Sequence, residues 1–187
     1  MATTRERMVA AATGLFREHG YDGTGFREVV QAAGTTPGVI YHHFPQGKSE
    51  LGVAVAALVG DRIAGRVEDV CASETPMAAV TSLIDMIERY LVAGDVRPGC
   101  PIVAVTLASE DDDGRLRDAG HDFFRRTRNA LAACLEREGI ESGKADAFSA
   151  LAVAACEGAV IMCRASRSVE PLAAVRMSML DHLAKLG

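Results

Sequence analysis

Tryptophan is missing from this chain of 187 residues, and aromatic side chains of all kinds make up only 5% of it. Apolar residues still reach 49%, so any core must be largely aliphatic. Alanine is abundant and β-branched runs are short, which favours helix over sheet. The chain is long enough for one domain with a small extra module, or for two small domains sharing a core.

Other absences exclude whole classes. The cysteines are Cys71, Cys100, Cys134, Cys156 and Cys163, an odd number with no C-x-x-C. That fits neither a disulfide framework nor a zinc site, and buried thiols are the expectation. No apolar stretch approaches the roughly 20 residues of a membrane span. The first residues, "MATTRERMVAAATGLF", are charged and amphipathic and lack a signal-peptide core, so a soluble cytoplasmic protein is expected. No Ser/His/Asp or Cys/His arrangement, carboxylate pair or phosphate loop is evident, which argues against an enzyme, and no cofactor is implied. The run "SEDDDG" lacks the alternating ligands and downstream Glu of a calcium loop and reads as a solvated turn.

An excess of basic charge is missing too. The net charge is −5, which argues against a general polyanion binder. Residues 1–51 hold five basic side chains (Arg5, Arg7, Arg17, Arg27, Lys48) and five acidic ones (Glu6, Glu18, Asp22, Glu28, Glu50), so the rest of the chain carries the deficit. If the N-terminal part binds nucleic acid, geometry must do much of the work.

The punctuation divides the chain into helices. The first starts after Thr3 or Thr4, presents Met8, Ala12, Leu15 and Phe16 on one face, and ends at Gly20. The second begins near Phe26, with Val29, Val30 and Ala33, and ends at Gly34. The third has Thr36 as N-cap and Pro37 at its first position, and stops before Pro45. Residues 25–44 thus read as helix, tight turn, helix, the pattern whose second helix enters a DNA major groove. A long helix from Lys48 to about Val70 opens with a lysine, which opposes the helix dipole unless an anion docks there. Further helices are expected over about 76–93, 115–138, 142–165 and 171–186, with a short apolar segment from Pro101.

The last two helices suit a homodimer. Leu172, Val175, Met179 and Leu183, followed by Leu186, form a heptad-like stripe, and Met177, Leu180 and Ala184 a second apolar edge. Ala152, Ala155 and Ala159 give the preceding helix a small-residue face for close approach.

The stretch "RERMVAAATGLFREHGYDGTGFREVVQAAGTTPGVIYHHFPQGKSEL" resembles the DNA-binding domain of the TetR family of transcriptional repressors. The matching positions are Ala11, Ala12, Phe16, Gly20, Tyr21, Thr24, Ala33, Gly34, Gly38, Tyr41, His43, Phe44, Lys48 and Leu51. The "GTGF" and "YHHFPQGK" wording, with one extra residue before the lysine, and the later "GCPIVAVTLASE" look like the LmrA/YxaF-like branch.

The resemblance implies a helix-turn-helix domain over residues 1–47 and a helical ligand-binding and dimerisation domain over 48–187. It implies a homodimer that binds a double-stranded DNA operator and is released by a small hydrophobic or aromatic effector. Thr24 would contact phosphate and cap the second helix. Thr35, Thr36, Pro37 and Gly38 would approach the bases, Tyr41 and His42 the groove, and Lys48 a phosphate, while His43 would pack inward. Val39 stands where the family often has a hydroxyl residue. Met86, Tyr90, Ile102, Thr106, Phe123, Phe124 and Cys156 are the expected effector-pocket residues. The competing reading is a thiol redox sensor on the same scaffold, with Cys100 at a helix start as the reactive group.

Overall fold

A computed structural model describes residues 2–108 and 114–186; the acidic run at 109–113 lies outside the described residues. Nine helices and no strand occur among the described residues: α1 (Thr4–His19), α2 (Phe26–Ala32), α3 (Pro37–His43), α4 (Lys48–Ser73), α5 (Pro76–Ala93), α6 (Pro101–Thr106), α7 (Arg115–Arg137), α8 (Ser142–Ser166) and α9 (Glu170–Ala184). The expected all-helical architecture is the observed one.

The residues at the helix ends explain the boundaries. Thr3 caps α1 in a reciprocal box: its hydroxyl accepts from the Glu6 N–H at 3.2 Å, and Glu6 Oε2 accepts from the Thr3 N–H at 2.7 Å. Gly20, at φ 77°, turns the chain out of α1 while its N–H reaches Phe16 O. Gly34, at φ 60°, lies at the turn between α2 and α3. Thr75 and Pro76 open α5, and the Glu141 carboxylate caps α8 through the N–H groups of Gly143 and Lys144.

Packing divides the chain into two units, Met1–Arg62 with Gly99–Phe123, and Ile63–Pro98 with Phe124–Gly187. The first unit has Met8, Phe16, Ile40, Phe44, Leu51, Ile102 and Leu116 fully buried. Its α1 packs on α2 and α6, and the Gly99 N–H donates to Arg17 O at 2.9 Å. Gly52 has no room for a side chain: a Cβ there would lie 2.7 Å from Leu116 Cδ2 and 2.8 Å from Tyr21 Cε2.

In the second unit, α8 and α9 pack on each other, and both meet α5. Its core joins Val80, Ile84 and Leu91 of α5 to Leu131 and Leu135 of α7, Phe148 of α8 and Leu172 and Met179 of α9. Arg176 pairs with both Asp85 and Glu88, and Arg126 makes a two-pronged pair with Glu68 at 3.1 and 3.2 Å.

Two expectations change. One helix, α8, is long and apolar enough by length and composition to cross a membrane. Its Ala145, Phe148, Ala152, Cys156, Ala159 and Cys163 are buried in the core of the second unit, the pattern of a core helix. The α9 stripe is the second change. Leu172, Met179 and Leu183 are buried within the chain's own core, Val175 is packed against it, and Ala152, Ala155 and Ala159 of α8 join them. Leu172, Met179, Leu183, Ala152 and Ala159 are therefore spent on the second unit's own core, while Val175 and Ala155 pack against it and stay partly exposed. The other apolar edge of α9 does face outward, with Met177 70% exposed.

Candidate nucleic-acid interface and effector cavity

The N-terminal unit presents one polar, outward face around α3. Thr36, Pro37, Gly38, Tyr41 and His42 are exposed, and Thr35 and Val39 are half-buried. Inward, Ile40 and Phe44 are buried at 2% and 0% and anchor the helix. The Thr36 side chain makes no capping hydrogen bond, and a Cβ added to Gly38 would meet nothing within 4 Å. No internal contact demands glycine at position 38, and the bare backbone there faces open space.

Two aromatic contacts position the side chains of this face. Tyr41, 63% exposed, makes a T-shaped contact with Phe26, ring centroids 5.7 Å apart. The Lys48 ammonium lies 4.3 Å from the centroid of the Tyr21 ring, and Tyr21 in turn packs on Phe16 at 5.2 Å. Lys48 thus begins α4 with its charge held over Tyr21, between α1 and α2. Arg5 is a residue the sequence reading missed: its guanidinium stacks over Phe44 at 5.1 Å and adds a cation to the same unit. Its signal was the N-terminal "TTRER" run, where Arg5 falls outside the apolar face of α1.

Thr24 corrects an expectation. It is 1% exposed, and its hydroxyl donates to Gly20 O at 2.8 Å. The side chain closes the turn between α1 and α2; it is neither presented to solvent nor the cap of α2, a position held by Gly25. The paired histidines divide as their spacing requires. His42 is exposed and His43 half-buried, with ring centroids 5.3 Å apart at 68°.

The residues expected to line one effector pocket are distributed over both units. Ile102, Thr106 and Phe123 belong to the first unit, and Met86, Tyr90, Phe124 and Cys156 to the second. Ile102 is fully buried, and the Thr106 hydroxyl is spent on Ile102 O at 2.7 Å. Within the second unit a cavity of about 120 Å³ opens among α4, α5 and α7, with Val67, Val70, Cys71, Leu83 and Leu131 on its wall; Met86 alone of the expected seven lines it. Sequence spacing shows which residues are apolar but not which helices leave space between them.

The thiols give the redox alternative no support. Cys71, Cys134, Cys156 and Cys163 are buried, and Cys100 is half-buried. Burial, reinforced by neighbouring Cys134, pushes the Cys71 thiol up to about 12, and burial beside Glu157 does the same for Cys156. Such groups stay protonated and unreactive near neutral pH.

Comparison with known proteins converges on one family. Residues 8–55 match the bacterial regulatory proteins of the tetR family, and residues 76–178 match the C-terminal domain of LmrA/YxaF-like transcriptional regulators. The chain belongs to the TetR family. An uncharacterized HTH-type transcriptional regulator of Mycobacterium tuberculosis is 31% identical, covering 98% of this chain and 95% of the relative. The HTH-type transcriptional regulator LmrA of Bacillus subtilis is 23% identical, covering 97% of each chain. The fold is that of a TetR regulator crystallised from Legionella pneumophila, with a TM-score of 0.85, 22% identity and 96% of both chains covered. TetR-family regulators bind DNA operators and small-molecule effectors, typically as dimers. The relatives and the fold are those of transcriptional regulators rather than enzymes.

Proposed function

We propose that this TetR-family protein is a cytoplasmic, homodimeric, ligand-responsive repressor that binds a palindromic operator and leaves it when a small effector with a hydrophobic body binds. Residues 1–47 form the DNA-reading part and 48–187 the effector and dimerisation part. The observation that carries this reading is the outward face of Thr36, Pro37, Gly38, Tyr41 and His42 on a helix anchored by buried Ile40 and Phe44, with Lys48 opening the helix that follows. The exposed N-terminus of α3, with an unblocked Gly38 backbone, suits close approach to base edges, and Lys48 suits a phosphate.

Two-fold symmetry supplies the second reading head. The surface that suits the dimer is the outward apolar edge of α8 and α9, with Leu151, Ile161, Met162 and Met177 between 48% and 70% exposed. Apolar side chains in such number on two adjacent helices favour a partner surface. Ile161→Glu with Met177→Glu should convert the dimer to monomers in sedimentation while the helical content holds.

Selection from a random duplex library tests the whole reading. Bound sequences should contain an inverted repeat, with half-sites about one helical turn apart or more. Recovery of no repeat, or an affinity unaffected by salt, would count against it.

A further inference from the structure

We infer that the cavity among α4, α5 and α7 is an effector site for a small amphipathic monocarboxylate, with its apolar body in the cavity and its carboxylate between Arg66 and Arg89. The inference rests on the proposal of an effector-responsive repressor and narrows the chemistry of the effector.

The first support is a charge imbalance. Arg66 of α4 and Arg89 of α5 both line the cavity, both are exposed, and no acidic side chain among the described residues pairs with either. Their neighbours are differently placed. Arg176 holds Asp85 and Glu88, and Arg126 holds Glu68. Asp85, the acid on the cavity wall, is thus paired with Arg176, which it shares with Glu88. Two unmatched guanidiniums on one opening form a strong receptor for a planar carboxylate, which accepts paired N–H donors.

The second support is the wall itself. Beyond the arginines it is mainly aliphatic, with Val67, Val70, Leu83, Met86 and Leu131. Burial pushes the Cys71 thiol up to about 12, so at neutral pH this side chain adds no negative charge to repel an anion. Ser82 adds one hydroxyl-bearing side chain to the wall.

Size sets the third limit. A cavity of about 120 Å³ is somewhat smaller than the ~150 Å³ apolar cavity that accommodates benzene. It admits a branched or cyclic body of about four to six carbons and excludes a long acyl chain. A neutral hydrophobe of the same size would fill the cavity and leave both guanidiniums unmatched. The acid is therefore the better complement than the amide or alcohol of the same shape.

Calorimetric titration of the full-length protein tests the site, with isovalerate, hexanoate and benzoate as probes and the primary amide of each as its neutral counterpart. At least one acid should bind, and at least tenfold more tightly than its amide. The Arg66→Gln/Arg89→Gln double variant should lose at least tenfold in affinity for the acid and keep its affinity for the amide. Its melting temperature and its operator affinity without ligand should match wild type, since both arginines are exposed and outside the DNA-facing residues. Failure of all three acids, equal binding of acid and amide, or an acid affinity that survives the double substitution would overturn the assignment. The regulatory reading fails separately. If wild type without ligand bound no operator, the repressor would be wrong whatever the cavity bound. A carboxylate that bound yet left operator affinity unchanged would overturn its role as effector.

Discussion

Tyr41 stands on α3 with its ring T-shaped to that of Phe26, the first residue of α2, at a centroid separation of 5.7 Å and 80° between planes. The contact ties an exposed aromatic of the proposed reading helix to the helix before it. Phe26→Ala should leave Tyr41 in place chemically but free to swing. Loss of an aromatic pair of this kind costs about 0.5–1.5 kcal/mol. Operator affinity should fall by about three- to tenfold, less than for Tyr41→Ala. Quantitative gel-shift titration decides; a Phe26→Ala protein binding as wild type would mean that the ring contact positions nothing.

Lys48 separates charge from packing. Its ammonium lies over the Tyr21 ring, and such a contact at a partly exposed site is worth about 0.5–1 kcal/mol. Lys48→Ala should lower stability by no more than that. It should also lower the slope of log affinity against log salt by about 0.9 per lost phosphate contact, hence by about two for a dimer. An unchanged salt slope would remove Lys48 from the DNA-facing set.

Two glycines should respond in opposite ways. Gly52→Ala forces a Cβ against Leu116 and Tyr21, and overpacking of this kind costs about 1–3 kcal/mol. Gly38→Ala meets no neighbour within 4 Å and sits in α3, so thermal stability should hold or rise by up to about 1 kcal/mol. Operator affinity should nevertheless drop, because the new methyl occupies the outward face. Loss of stability in Gly38→Ala, measured by thermal denaturation, would show a structural need that the structure does not contain.

The α8 terminus holds a removable strain. Arg167 closes the helix at φ 52°, in the left-handed conformation, a positive φ that glycines such as Gly34 and Gly139 take at other turns. Arg167 is exposed, and its N–H reaches Cys163 O, so glycine can take over the turn. Arg167→Gly should stabilise by about 1 kcal/mol, which for a chain of this size raises Tm by about 2–4 °C. A lower Tm would show that the arginine side chain contributes more than its backbone costs.

The buried thiols predict a pH dependence. Folding raises Cys71 and Cys156 from 9.0 to about 12. Between these values the folded state holds protons that the unfolded chain releases, so stability is full below about pH 9 and falls as the pH rises. Urea denaturation at stepped pH should show the decline. Cys71→Ala and Cys156→Ala, despite a lower stability overall, should flatten it; an equally steep decline in the double variant would place its origin elsewhere.

Much of this was readable in the residue order, and the misses have a common cause. The order Thr36-Pro37 opening α3, and glycines at the ends of α1 and α2, are local signals, and local signals locate helices. The outward assignment of Gly38, Tyr41 and His42 followed because α3 is short and its buried residues are unambiguous. Thr24 misled because a threonine before a helix looks like a cap whether its hydroxyl turns forward to an N–H or back to a carbonyl. On α9, periodicity revealed two apolar edges, but only tertiary packing says which one the chain covers for itself. The cavity was invisible for a stronger reason: it is made where side chains of α4, α5 and α7 fail to fill space, and no stretch of sequence encodes a gap.

The hydrogen bond from Gly99 to Arg17 has a consequence for how the protein is made. The unit that carries the reading helix is not finished when α1 to α3 have been synthesised. It needs α6 and the start of α7, and Ile102 and Leu116 are among its fully buried residues. On the ribosome, the N-terminal helices therefore wait, with part of their apolar surface uncovered, until residues as late as Phe123 have emerged. A fragment ending at Arg62 would lack α6 and the start of α7, and with them the buried Ile102 and Leu116.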